Sequence, residues 1–280
     1  MTNPEQPTGS PSAAPLRLVV LGDSTSFTDA TGPQLPDHPA LYPNVAAACL
    51  RAHLDRDVEV TVVARPGTTV REALRTVTKD RHVQFDVVAH ADALVVGVGS
   101  FDHAPGGVPP AVEVVVPYLR PAGVRRRVRS TLRAAYPRIV QVTGGRLART
   151  PEAEFRRMYA QLLDHLRGLT WGRAAGVAIG PTSHRAAYYG HRHPRHGARE
   201  ALQLELAEEH GFAPVASWPL VLPYAGELNP DGIHWPAAAH QAVGEAVADA
   251  LLPQVTGTRS PIGLPPAAAA ALAALEQQAP

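Results

Sequence analysis

Apolar and polar positions alternate along the chain between short apolar runs and longer amphipathic stretches. The first run, Leu16-Arg17-Leu18-Val19-Val20-Leu21, stops at Gly22-Asp23-Ser24. Together with β-rich runs at residues 58–64, 93–98, 176–179 and 213–216 it has the length and composition of a buried strand. Between these runs, apolar spacing predicts helices over 43–54, 69–77, 152–166, 199–210 and 236–252. In the last of these Val243, Val247 and Leu251 recur at four-residue spacing, one stripe to lie on a sheet. Strands alternating with helices predict an α/β domain over residues 16–252, a central parallel sheet between two helical layers.

Three stretches depart from the alternation. Residues 1–15 are rich in Pro, Ser, Thr and Gly and are expected to form a disordered tail. Residues 253–280 are expected to be a flexible tail, with a short helix in the Ala-rich part near 267–275. Residues 104–150 are long for a connection, which predicts a helical insertion that could act as a lid. Within it Val124, Val128, Leu132 and Ile139 can share a helical face, with Arg125, Arg126, Arg127, Arg129 and Arg133 largely off it. Such arginines suit a solvated helix surface, or one that meets an anion or a membrane surface.

Composition narrows the function classes. A chain of 280 residues with 45% hydrophobic content can bury one large core. A formal net charge of +1 gives no general attraction to nucleic acid. Cys49 is the only cysteine, so no intrachain disulfide can form, and its setting reads as a helix interior. The first residues lack a basic and apolar leader pattern, and no stretch has the length of a membrane span, so a cytoplasmic protein is expected. A homo-oligomer is left open.

The candidate chemistry begins where the first strand ends. A buried strand that stops at a glycine and delivers Ser24 to its carboxyl end is how an α/β sheet presents a nucleophile. Near the other end of the chain, Asp231-Gly232-Ile233-His234 places a carboxylate three residues before an imidazole, so one loop can supply the base and its orienter. Each motif alone has a structural reading, a capped turn for the first and a helix start for the second. Together they point to Ser24 as nucleophile, His234 as base and Asp231 as its orienter, with backbone N–H groups beside Ser24 placed for an oxyanion. Asp23 is expected to fix the turn, with a substrate contact also open.

This arrangement resembles the SGNH, or GDSL, hydrolase superfamily. The resemblance implies a three-layer, flavodoxin-like fold and a second oxyanion donor at Gly67, within Arg65-Pro66-Gly67-Thr68-Thr69. The superfamily's third block, Gly-x-Asn-Asp, reads here Gly99-Ser100-Phe101-Asp102. Phe101 therefore stands at the Asn position, and the site either relies on two backbone donors or recruits Ser100 as a further oxyanion donor.

Several stretches are similar to the actinobacterial diglucosylglycerate octanoyltransferases. They are residues 99–102, residues 117–121 with the arginines that follow, and residues 231–235. Thr31-Gly32, Tyr42-Pro43-Asn44, and a pattern of His184, Tyr189-Gly190 and His196-Gly197 add to them. The resemblance implies transfer of an octanoyl-like group from an acyl thioester to a glucosylglycerate-type acceptor, a precursor of methylglucose lipopolysaccharide. Acyl-CoA would be a co-substrate, with no metal or organic cofactor. The substrate-binding residues expected on this basis are Asp23, Asn44, Phe101, Asp102, Arg126, Arg127, His184, Tyr189 and His196. The histidines of residues 184–196 match no metal-ligand spacing and read as a polar loop, solvated or lining a sugar site. An esterase using water and a non-catalytic sugar-binding member remain as rival readings.

Overall fold

The computed structural model describes residues 14–106, 115–183, 185–191 and 193–276. Five parallel strands, β1 (Leu16–Gly22), β2 (Val58–Ala64), β3 (Ala93–Gly97), β4 (Ala175–Ile179) and β5 (Ala213–Val215), form one sheet in the order β2-β1-β3-β4-β5. Each predicted strand is present, with ends shifted by one residue at most. Gly22 is in register with both Ala64 and Gly97, so the carboxyl ends of three neighbouring strands finish level. The order reverses between β1 and β3, and a crevice opens at the carboxyl ends of such a switch point. The loop after Gly22 and the block after Gly97 are its two sides.

The unbroken apolar run of β1 after Arg17, residues 18–21, follows from burial on both faces. Leu16, Leu18 and Val20 enter one core with helices α1 (Tyr42–Leu54) and α6 (Ala237–Val255). Val19 and Leu21 enter the other, with α2 (Val70–Lys79), α4 (Glu152–Leu169) and α5 (His196–Glu209). Val243, Val247 and Leu251 are fully buried, as their spacing predicts. At α2 a capping box fixes the turn that carries Gly67: Thr69 Oγ1 accepts from Glu72 N, and the Glu72 carboxylate accepts from Thr69 N at 2.8 Å.

The insertion contains a long helix, α3 (Ala122–Thr143), but the apolar stripe read from its sequence is not the face it buries. Tyr136 and Val140 pack with Ala104, Ala186 and Tyr189, while Val124 is 45% exposed and Val128, Leu132 and Ile139 are half-buried. The helix meets the body through its carboxyl-terminal half, so distance along the axis outweighs apolar period. Within the expected carboxyl-terminal tail, residues 253–264 pack on the body. Helix α6 continues to Val255, Ile262 is 3% exposed inside the second core, and Arg167 donates to the carbonyls of Ile262, Gly263 and Leu264. Pro and Gly there prevent regular structure without preventing docking; the Ala-rich part forms α7 (Pro266–Glu276). The expected tail of residues 1–15 lies almost wholly outside the described residues. Among the described residues no helix is long and apolar enough to cross a membrane.

Candidate active site

Gly22 is required where β1 turns, because a side chain there would collide with Ser26 Oγ. The chain then makes a single 3-10 turn, Ser24–Ser26, capped by the Asp23 carboxylate, which accepts from Thr25 N at 2.9 Å and Thr25 Oγ1 at 2.8 Å. Asp23 is 3% exposed, and burial raises its pKa against the Thr25 hydrogen bonds and the charge of His234. It holds the turn, as expected of it, with its carboxylate directed at Thr25. Ser24 opens the turn half-buried. The N–H groups of Ser24 and Gly67 meet no acceptor among the described residues.

The Asp231 loop is built by its own carboxylate. Oδ1 accepts from Ile233 N at 2.8 Å and His234 N at 3.2 Å, while Oδ2 accepts from His234 Nδ1 at 2.6 Å. Burial alone would raise the Asp231 pKa, but the hydrogen bonds from His234 and Ile233 outweigh it and hold the carboxyl below its ordinary range. A carboxylate on Nδ1 requires the proton there and leaves Nε2 as the basic nitrogen. His234 Nε2 is buried and has no hydrogen-bond partner among the described residues. Trp235 anchors the loop through Nε1 to Thr182 Oγ1 at 3.0 Å and by a bridge to Asp29.

Beneath this loop lies His240, fully buried. Its Nδ1 accepts from Tyr42 N and its Nε2 donates to Thr28 O, each at 3.2 Å, so the ring is neutral. Burial, ahead of every other cause, lowers its pKa from 6.5 to about 4. A folded-state value below the unfolded one gives stability that is full above pH 6.5 and lost as pH falls toward 4, by about 3 kcal/mol at most. Asp102 acts oppositely: burial raises it from 3.8 to about 6, so its contribution falls as pH rises through that window. Urea midpoints at about pH 7 and about pH 4.5 isolate the histidine. On acidification the wild type should lose more stability than His240→Gln, and equal losses would mean that the folded state accommodates the charged ring.

After β3, Asp102 is a structural tie. Its carboxylate accepts from Val70 N at 2.7 Å and Thr150 Oγ1 at 2.5 Å, joining the start of α2 to the end of the insertion with no exposure to solvent. Ser100 Oγ accepts from Thr182 N at 3.1 Å and so holds the loop after β4. Gly67, at φ +67°, faces Phe101, and a Cβ there would lie 3.2 Å from the ring. The Arg149 guanidinium stands 3.9 Å from the centroid of the same ring. Sequence reasoning missed Arg149, because its place beside Phe101 depends on the Asp102–Thr150 tie.

Of the other residues expected to meet substrate, Asn44 and Tyr189 have partners within the protein. Asn44 Nδ2 donates to the carbonyls of Pro36 and His38 at 2.7 and 2.9 Å and pins their loop. Tyr189 is 5% exposed and packs edge-on against Tyr136. Arg126 and Arg127 are exposed on the outer half of α3 and form no ion pair among the described residues. Nothing links them to Ser24 or His234. His196, 6% exposed, lines a cleft beside Trp218, and His184 lies outside the described residues.

No family model matches the chain. It is 33% identical over 237 residues to the diglucosylglycerate octanoyltransferase of Mycolicibacterium hassiacum, spanning 84% of this chain and 94% of that protein. Among solved structures, a lipase from a goat rumen metagenome aligns with a TM-score of 0.58 at 12% identity, over 86% of this chain and 99% of that one. A GDSL-like lipase from Parabacteroides merdae aligns with a TM-score of 0.53 at 13% identity, over 84% of this chain and 95% of that one. At such identities the two lipases establish the shared fold.

Proposed function

The chain belongs to the diglucosylglycerate octanoyltransferase family, as an SGNH-type acyltransferase or esterase, and from that premise we propose that it transfers an octanoyl-like group from an acyl thioester to a glucosylglycerate-type acceptor through an acyl-enzyme on Ser24. The observation that carries this reading is the Asp231–His234 pair, with Nδ1 fixed at 2.6 Å and a buried, unpartnered Nε2.

In the first half-reaction Ser24 Oγ attacks the thioester carbonyl while His234 Nε2 takes its proton. The C–S bond breaks, and the coenzyme A thiolate leaves with the proton returned by His234. In the second, His234 takes the proton of an acceptor hydroxyl, which attacks the acyl-enzyme; the new ester forms and Ser24 Oγ recovers the proton. The N–H groups of Ser24 and Gly67 hold the oxyanion in both halves, each such donor typically contributing about 10²–10³ in rate. Asp231 keeps the ring in the productive tautomer and stabilises the imidazolium. No metal or organic cofactor takes part.

Intact-mass measurement after mixing with octanoyl-CoA tests this directly. An octanoyl adduct on the Ser24 peptide is expected, discharged by glucosylglycerate to an octanoyl sugar. Octanoate released at equal rates with and without acceptor would select the esterase reading.

A further inference from the structure

Helix α3 carries an apolar stripe that the body does not use. Val124, Val128, Ala135 and Val142 recur at spacings of four and seven residues and so share one side of the helix, with Leu132 and Ile139 along its edge. Tyr136 and Val140, which make the contact with the body, point about a third of a turn away. Val142 is 80% exposed and Val124 45%, and just before the helix Tyr118 is 79% exposed. An apolar stripe left to solvent in this way marks a surface that meets something else.

Arginines border the stripe on both sides. At 100° per residue, Arg127 and Arg138 follow it on one flank, Arg125 and Arg129 on the other, and Arg126 and Arg133 lie behind. Arg125 is half-buried, with Nη1 donating to Pro117 O at 3.4 Å; the other five are exposed. None of them forms an ion pair among the described residues. Residues 115–143 hold seven arginines and no acid, in a chain whose formal net charge is +1, so the remainder of the chain is net acidic. That asymmetry orients the molecule, α3 first, toward an anionic surface.

We propose that α3 docks on an anionic phospholipid bilayer: the helix lies in the headgroup plane, Val124, Val128 and Val142 enter the acyl boundary, and the flanking guanidiniums meet lipid phosphates. An interfacial helix has this make-up, an apolar stripe edged by cationic side chains whose stems lie along it while their heads stay in water. Tyr118, apolar in body and polar at its tip, suits the headgroup level. Arginines on both flanks fit a continuous anionic layer into which the helix sinks, whereas an acidic protein meets one face of a helix and leaves a flank unpaired. Ile233 of the Asp231 loop packs with Tyr136 and Val140, so the docked helix sets the candidate active site beside the lipid surface. The docking does not rest on the transfer reading.

Co-sedimentation of the full chain with vesicles reads the partition directly. Phosphatidylcholine vesicles with about one third phosphatidylglycerol should bind it about 100-fold more tightly than phosphatidylcholine alone, and about 0.5 M salt should remove most of that gain. Replacing Arg127, Arg129 and Arg138 together by Gln should weaken anionic binding about 100-fold, each arginine near such a surface contributing about 5-fold. Arg75→Gln, Arg173→Gln and Arg195→Gln together remove the same charge from exposed positions elsewhere and should change it by less than about 3-fold. Val124→Ser with Val142→Ser should weaken it about 10-fold, a loss that attraction between charges alone does not produce. No preference for anionic vesicles, equal losses in the two arginine triples, or binding indifferent to the two serines overturns the proposal. Titration of an acyl carrier protein is the matching arm: binding that needs Arg127, Arg129 and Arg138, with vesicles indifferent to them, assigns the face to a protein and overturns the bilayer.

Discussion

Ser24→Ala and His234→Ala are each expected to lower kcat for octanoyl transfer by about 10⁶-fold, to the floor of detection, with the fold retained. The loop does not depend on the imidazole, because Asp231 Oδ1 still accepts from Ile233 N and His234 N, at 2.8 and 3.2 Å. Nor does the turn depend on the Ser24 hydroxyl, since the Asp23 carboxylate holds it through Thr25. Asp231→Asn should retain more, a loss of about 10⁴-fold, because an amide can still accept those two backbone bonds while favouring the wrong imidazole tautomer. Transfer rates together with thermal unfolding check all three variants. Transfer undiminished in folded Ser24→Ala would remove Ser24 as nucleophile.

What was legible in the sequence is what the chain decides locally. β1 and β3 could be read because each is buried on both faces, which leaves a run of apolar residues with no polar face to confuse it. Asp231 and His234 were legible because three residues of one turn bring carboxylate and imidazole together whatever the rest of the fold does. Asp102, Asn44 and Tyr189 were expected as substrate contacts because the resemblance implies them, and the structure gives each of them partners within the protein. Those partners lie elsewhere along the chain: Val70 and Thr150 for Asp102, and Tyr136 for Tyr189. The same distance hid Arg149, whose meaning comes from the ring it faces. Ile262 shows the converse, a residue of an irregular segment that reads as free chain yet lies against Gly211 and Gly176.

Wild-type protein given octanoyl-CoA alone should release octanoate slowly, and glucosylglycerate should accelerate turnover about 10²-fold or more, with the acyl group recovered on sugar. The cause is Phe101. Where the superfamily places an amide donor, this chain places a ring packed against Gly67 and the Arg149 guanidinium, the latter 3.9 Å from its centroid. The ring facing Gly67 leaves two backbone donors to hold the oxyanion and, unlike an Asn amide, brings no hydrogen-bonding group of its own to position a hydrolytic water. A bound sugar hydroxyl needs no such help, because its own binding energy orients it. Phe101→Asn should therefore raise hydrolysis without acceptor by up to about 10²-fold and lower the ratio of transfer to hydrolysis. Mass analysis of products over a range of acceptor concentrations reads both quantities. Fast release of free octanoate by the wild type, indifferent to acceptor, would assign Phe101 to packing alone and make water the enzyme's own acceptor.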